Sequence, residues 1–395
     1  MITVNELWTQ LDQLAAAPLP PERIALFHAQ GRVLREAILA PEDQPAFDRS
    51  AVDGYLVHID QPAGLTTLEG AVHPGSPAPA NAPAPGTALR IFTGSALPHE
   101  GVALIMKEDT KLSDDEHRLH LLQPPSGRHI RRRGSQARAG DTLLAEGIRL
   151  NAGSLALLAS IGAIHPLVNR PVRVAHLVTG GELVPPDQTP TEGQIRDCNS
   201  TLIDALLRDC PAELGWQHRV DDSREATAKA FDEALATETD IFLISGGSSV
   251  GEYDHTGTLL AERGFTIHCD KVASRPGKPF IAASRDGRLA FGLPGNPLSH
   301  FVCFHLFVKR VIHRLAGLAP VPLVRATLAP RAELRADPRE TWWPCIWTDE
   351  GTQRRVLPLP WMDSSDLTIL GNTAGLLRVP AIAGPGTEVD VLPCL

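Results

Sequence analysis

Residues 240–257, DIFLISGGSSVGEYDHTG, run from an apolar stretch into adjacent glycines, adjacent serines and then two acids. Gly246 and Gly247 let backbone amides close on an anion, and Ser248 and Ser249 add hydroxyl donors. A helix expected to start near Asp254 adds the positive end of its dipole. Glu252 and Asp254 would repel that anion unless a cation lay between them, so the combination points to a phosphate held with a hard metal such as Mg²⁺. Taken alone, a Gly-Gly turn followed by an aspartate is more often an ordinary strand-to-helix connection.

Two further turns shift that balance. KVASRPGKPF, residues 271–280, sets Lys271, Arg275 and Lys278 around a Pro-Gly bend; by itself such a set is a solvated face. FGLPGNPLSHF follows at 291–301, where Pro294, Gly295, Asn296 and Pro297 make a tight bend before an apolar helix. Pro297 suits the first helical turn and Asn296 its cap, which leaves amides pointing at the same crevice. Acidic, basic and glycine-rich loops would then converge at one edge.

The elements that must position these loops follow from periodicity. VRVAHLV (172–178), GWQHRV (215–220) and DIFLIS (240–245) read as strands, alternating with helices over NSTLIDALLRDC (199–210) and SREATAKAFDEAL (223–235). Such alternation predicts a parallel sheet covered by helices on both faces, with ligands outside the carboxyl ends of its strands. Upstream, Val4, Leu7, Trp8, Leu11 and Leu14 recur at helical spacing, and residues 45–150 are Pro- and Gly-rich with strand-like runs ALRIFTG and VALIM. PGSPAPANAPAPG reads as an exposed loop, NAGSLALLASIGA as a helix with Asn151 or Ser154 near its start, and TWWPCIW as core packing of Trp342, Trp343 and Trp347.

Composition narrows the function classes. A chain of 395 residues is too long for one core. Its net charge of −9 is spread along the chain, which supplies no basic field for nucleic acid. The arginine run RHIRRRGSQAR lacks the interleaved aromatics of a single-strand binder and reads as an exposed loop. The amino terminus does not read as a secretory signal. The longest apolar stretch, FVCFHLFVKRVIHRL, is broken by His305, Lys309, Arg310 and His313, so no membrane span is expected. The cytoplasm is the expected compartment. Six cysteines without a C-x-x-C pair read as reduced, buried thiols, and the fifteen histidines show no paired ligand spacing.

Several segments together carry a resemblance. SGGSSVGEYD, RPGKPF and GLPGNPLS resemble the signature segments of molybdopterin molybdenumtransferases and the related gephyrin E domain. DRSAVDGYLV, RIFTGSALPHEG and the helix NSTLIDALL after GQIRD continue the likeness in order over nearly the whole chain. The resemblance implies an α/β and β multi-domain chain: a discontinuous helical part (1–44 with 148–169), a small β-rich domain (45–147), a doubly wound α/β molybdopterin-binding domain (170–320) and a C-terminal β-barrel (321–395). It implies a homodimer that binds adenylylated molybdopterin and molybdate and releases AMP with Mg²⁺, and that exchanges ligand with partners in molybdenum cofactor biosynthesis. Carried over by motif, Glu182, Asp222, Asp254, Lys271 and Arg275 are catalytic candidates, with Glu182 and Asp254 on the metal. Asp53, Thr93, Arg131, Gly246, Gly247, Ser248, Lys278, Pro294, Gly295, Asn296 and Ser364 are candidates for substrate, the first three offered by the partner subunit.

The departures define an alternative. TGGEL places Gly181 where the family usually has an acid, and RRRGSQ places Ser135 and Gln136 where it commonly has two carboxylates. Arg275 stands where lysine is frequent, and Ala103 where an acid-bearing Gly-Ala-Asp run is common. Fewer carboxylates lower the charge offered to a divalent cation. A divergent, non-catalytic carrier or scaffold for the cofactor therefore stands beside the insertase reading.

Overall fold

The computed structural model describes residues 1–246, 255–329, 334, 337–350, 353–380 and 384–394. The chain divides into two compact units: residues 1–35, 147–156 and 164–395 form one, and residues 36–146 with 157–163 the other.

The first unit is built on a six-stranded sheet. In spatial order its strands are Ala212–Val220, Val172–Thr179, Ile241–Ser245, Arg288–Leu293, Ile281–Arg285 and Thr266–Cys269. The first four are parallel. Ile241–Ser245 is buried throughout, as an interior strand covered on both faces must be. Alternate residues serve different cores. Val172, Val174, Ile241 and Leu243 pack on one face beside the helices Asn199–Arg208 and Pro297–Cys303. Ala175, Leu177, Phe242 and Ile244 pack on the other, with Arg224–Leu235 and Thr256–Glu262.

Ile281–Arg285 runs antiparallel to both its neighbours, a departure from the predicted parallel sheet. Ile281–Arg285 and Arg288–Leu293 pair antiparallel through a two-residue turn, with Asp286 at φ +50° and Gly287 at φ +77°. An Asp-Gly pair with both residues left-handed is the turn that matches strand twist in a hairpin, so SRDGR closes a hairpin.

Helix Val4–Leu14 joins the first core, with Val4, Leu7 and Leu11 fully buried. Its start is a capping box: the Thr3 hydroxyl accepts from the Glu6 amide at 3.2 Å, and the Thr3 amide donates to the Glu6 carboxylate at 2.8 Å. Downstream, Val324–Leu328, Glu340–Glu350, Gln353–Pro358, Gly375–Arg378 and Glu388–Pro393 close into a five-stranded barrel. Closure removes the free edges. Trp342 and Trp343 are buried as expected, and Trp343 donates its indole N–H to the Leu359 carbonyl at 2.6 Å.

The second unit carries its own six-stranded sheet, including the expected strands Thr87–Ile91 and Val102–Met106. The Pro- and Ala-rich segment at 74–86 is an exposed loop, with Pro83 its buried anchor.

Candidate functional site

The four parallel strands of the first unit end in the loops singled out by sequence. Gly246 follows Ile241–Ser245, and Pro294–Asn296 follow Arg288–Leu293. Gly246 donates its amide to the Leu293 carbonyl at 3.3 Å and holds φ +92°. A Cβ there would sit 2.4 Å from the Thr179 carbonyl oxygen, and one on Gly295 would lie 3.8 Å from the Gly246 Cα. The two turns meet backbone to backbone, and at Gly246 only glycine fits. Asn199 ties the same place to the next helix by donating its side-chain amide to the Gly295 carbonyl at 2.8 Å.

Asn296 stands at the cap position, but its side chain makes no capping bond; its amide nitrogen instead donates to Ser364 Oγ at 2.7 Å. The Leu298 amide, expected to be open to the crevice, donates to the Ser364 carbonyl at 3.1 Å. A residue from the far end of the chain thus satisfies the start of helix Pro297–Cys303, a substitute for a side-chain cap. Pro294, Gly295, Asn296 and Ser364 form one cluster with Gly246. Gly247, Ser248 and Asp254 lie outside the described residues. The helix expected near Asp254 runs Thr256–Glu262, with His255 at its cap position.

The acidic candidates form a second group. Glu182 and Asp222 are exposed and follow Val172–Thr179 and Ala212–Val220 respectively. The Gly180 amide donates to the Val220 carbonyl at 3.1 Å, which joins the two loops. A Cβ on Gly180 would lie 2.9 Å from Glu182 Oε2, and one on Gly181 would lie 3.6 Å from Asp222 Oδ1. The two carboxylates therefore border one short turn, and hard oxygen donors of this kind fit a cation such as Mg²⁺. Among the described residues no group of three or more His, Cys, Asp or Glu side chains is placed to hold a metal ion.

The cationic turn is only partly available. Arg275 pairs with Asp337 at 3.1 Å, and its guanidinium lies 5.5 Å from the centroid of the Trp361 ring. Hydrogen bonds from Arg339, with the charges of Arg339 and Arg275, pull the Asp337 carboxyl down to about 2. Arg275, expected to face an anion, thus serves the contact between its loop and the barrel, where Ser274–Arg275 pairs with the strand Glu340–Glu350. Lys271 is exposed and Lys278 partly so. Their turn is pinned at Gly277, where a Cβ would lie 2.6 Å from Cys303 Sγ. Cys303 ends the helix that Asn296 begins, so both turns are fixed to one element.

Sequence reasoning missed a polar region beside these loops. An open groove of about 570 Å³ is lined by Asp197, Ser200, Thr201, Gln217 and Arg219, among others. Asp197 is buried; it accepts from the Ser200 amide at 3.0 Å and lies 3.9 Å from Arg219. An acid three residues ahead of a serine at a helix start was the available signal. His176, read as an ordinary histidine, is fully buried in the strand Val172–Thr179.

The chain matches known proteins along most of its length. Residues 2–162 match the family described as MoeA N-terminal region (domain I and II), and residues 175–314 the one described as probable molybdopterin binding domain. The molybdopterin molybdenumtransferase of Nostoc sp. is 36% identical over 310 residues, 75% of this chain and 70% of that protein. That of Haemophilus influenzae is 34% identical over 319 residues, 80% and 78% of the two chains. The chain belongs to the molybdopterin molybdenumtransferase family. It is thus a transferase with a role in molybdenum cofactor biosynthesis. Its fold agrees: the crystal structure of the molybdopterin biosynthesis MoeA protein from Pyrococcus horikoshii superposes with a TM-score of 0.77 at 25% identity, covering 100% of this chain and 99% of that one.

Within this molybdenumtransferase, the second unit presents its own candidates. Asp53 is exposed, and its carboxylate accepts from the Thr93 amide at 2.7 Å and the Thr93 hydroxyl at 2.9 Å, which lowers its pKa. Gly54 beside it has no room for a side chain: a Cβ would fall 2.1 Å from the Ile105 carbonyl oxygen. Arg131 is exposed, in the short strand Ile130–Arg131 that pairs with Arg49–Ser50, and the turn after it is anchored from below. Buried Asp48 accepts from Arg132 Nη1 at 2.6 Å and the Arg133 amide at 2.7 Å, and Asp43 takes Arg133 Nε at 2.8 Å. Arg132 and Arg133 are therefore committed to structure. Among the described residues no helix is long and apolar enough to cross a membrane.

Proposed function

We propose that the chain inserts molybdate into adenylylated molybdopterin and releases AMP in a step assisted by Mg²⁺, working as a cytoplasmic homodimer. The observation that carries this reading is the juxtaposition of the closely packed turns at Gly246 and Gly295 with the loops of Glu182 and Asp222, all at the carboxyl ends of parallel strands. Backbone that approaches this closely suits a phosphate, and the acids suit a cation that offsets its charge. A bound Mg²⁺ would neutralise charge on the phosphoanhydride between the pterin phosphate and AMP. Glu182 and Asp222, with Asp254, would hold it; Lys271 and Lys278 would meet the phosphates and molybdate. Asp53, Thr93 and Arg131 would serve substrate across the homodimer. The six free cysteines suit a reducing compartment.

The glycine at 181 favours a second reading, a carrier that binds the pterin without turnover, because one charge is missing beside Asp222. Reconstitution separates the two. Protein, adenylylated molybdopterin, molybdate and Mg²⁺ should together restore activity to a molybdoenzyme stripped of cofactor, and Lys278→Ala should impair this with little change in thermal stability. Failure of the parent protein to restore activity while it still binds the pterin supports the carrier.

A further inference from the structure

The buried histidine of the strand Val172–Thr179 is not a passive core residue. His176 Nε2 lies 2.6 Å from Ser245 Oγ, and His176 Nδ1 lies 2.9 Å from the Gln217 side-chain nitrogen. That nitrogen also donates to the Ser200 carbonyl at 3.1 Å. A carbonyl only accepts, so Gln217 presents its NH₂ group here and spends both protons, one on Ser200 and one on His176. His176 Nδ1 must therefore be the bare acceptor. Burial keeps the imidazole neutral, and its single proton then sits on Nε2 and is donated to Ser245. Ser245 ends its strand one residue before Gly246.

The hydrogen bonds continue away from the crevice. Ser200 donates to Asp197, so a chain of contacts runs from the strand end at Ser245 through His176, Gln217 and Ser200 to the wall of the open groove. His300 lies alongside, its ring centroid 6.1 Å from that of His176. It holds the other glycine turn through the Pro294 carbonyl at 3.3 Å, while its Nε2 has no partner among the described residues.

We propose that His176 is a positioning residue for the ligand: its Nε2 proton fixes Ser245 as an acceptor and so sets the backbone from which the Gly246 turn leaves the sheet. The proposal rests on the reading of that turn as a pterin phosphate cradle. An apolar side chain would fill the same space, so the polar set is required by orientation and not by packing.

The test compares His176→Leu with His176→Gln, because glutamine can accept from Gln217 and donate to Ser245 as the imidazole does. In equilibrium dialysis against molybdopterin, His176→Leu should bind about tenfold more weakly than the parent, and His176→Gln within about twofold, a step the size of one buried hydrogen bond. Ser245→Ala should lose about as much as His176→Leu, and the double variant no more than either, since both remove the contact between His176 Nε2 and Ser245 Oγ. Equal losses for Leu and Gln, parent-like binding by Leu, or additive losses in the double variant would overturn the proposal. Should His176→Leu not fold, Ser245→Ala alone decides, with unchanged affinity the contrary result. Nitrogen NMR of labelled histidine tests the tautomer without ligand: His176 should stay in the Nε2-protonated form from pH 5 to 8, and a proton on Nδ1 or titration in that window would refute the assignment. A parent protein that fails to bind the pterin would refute the ligand reading, while the NMR result still decides the role of His176.

Discussion

Two pairs of turns meet at the crevice, and they are built on opposite terms. Gly246 and Gly295 touch backbone to backbone, and a Cβ on Gly246 would strike the Thr179 carbonyl at 2.4 Å. Gly180 and Gly181 lead to exposed Glu182 and face exposed Asp222, and a Cβ on Gly181 would find its nearest neighbour at 3.6 Å. At Gly246 glycine is imposed by sterics and by positive φ; at Gly181 a side chain has room and the glycine is a choice about charge. The backbone at Gly246 is therefore rigidly specified, whereas position 181 is free to carry a side chain without loss of the fold.

The sharpest way to break this contrast is Gly246→Ala. Left-handed strain and overpacking together should lower unfolding stability by about 2–4 kcal/mol in urea titration. A loss below about 0.5 kcal/mol, the range of ordinary surface changes, would mean that the turn is not locked.

Acid should strike the same side next. Burial pulls the His300 pKa down to about 4, and that of His176 well below its ordinary value of 6.5. The unfolded chain binds these protons below about pH 6.5 while the folded chain does not, so their contribution to stability is present above that pH. As pH falls from about 6.5 toward 4 it should be lost, by up to about 1.4 kcal/mol per pH unit for each histidine. Urea midpoints at pH 7 and 5 measure this, and a His300→Gln variant should show a shallower dependence.

Arg275→Lys asks to which side the cationic turn belongs. Losing the stack on Trp361 and the planar fork toward Asp337 should lower stability by about 0.5–1 kcal/mol. A pterin affinity that drops further than stability does would return Arg275 to the ligand. The smallest effect is expected at Gly181. Gly181→Ala should leave the urea midpoint nearly unchanged, and Gly181→Asp should tighten the apparent Mg²⁺ constant severalfold, the scale of about 0.2–1 kcal/mol for one partly solvated charge. An unchanged Mg²⁺ midpoint would show that this loop does not face the metal.

Much of the architecture was legible in the sequence because it rests on local pattern. The strands at 172 and 241 are near-continuous apolar runs, Ser223 caps its helix by accepting from the Ala226 amide at 3.3 Å, and Asn151 accepts from the Ser154 amide at 3.0 Å. The glycine turns were found for the same reason. What escaped was set by distant partners. No local feature announces that Ser364 replaces Asn296 as the cap, that Asp337 occupies Arg275, or that Gln217 orients His176. The hairpin at Asp286-Gly287 does carry a local signal, its Asp-Gly pair, against the alternating pattern upstream.

Single-turnover release of adenylate tests the central claim most directly. Protein in excess over adenylylated molybdopterin should release AMP when molybdate and Mg²⁺ are both present and should fail when either is withheld, with the metal dependence shifting to lower Mg²⁺ in Gly181→Asp. Tight retention of the intact adenylylated pterin in the presence of both, by parent and variant alike, would contradict the account and leave the chain a carrier.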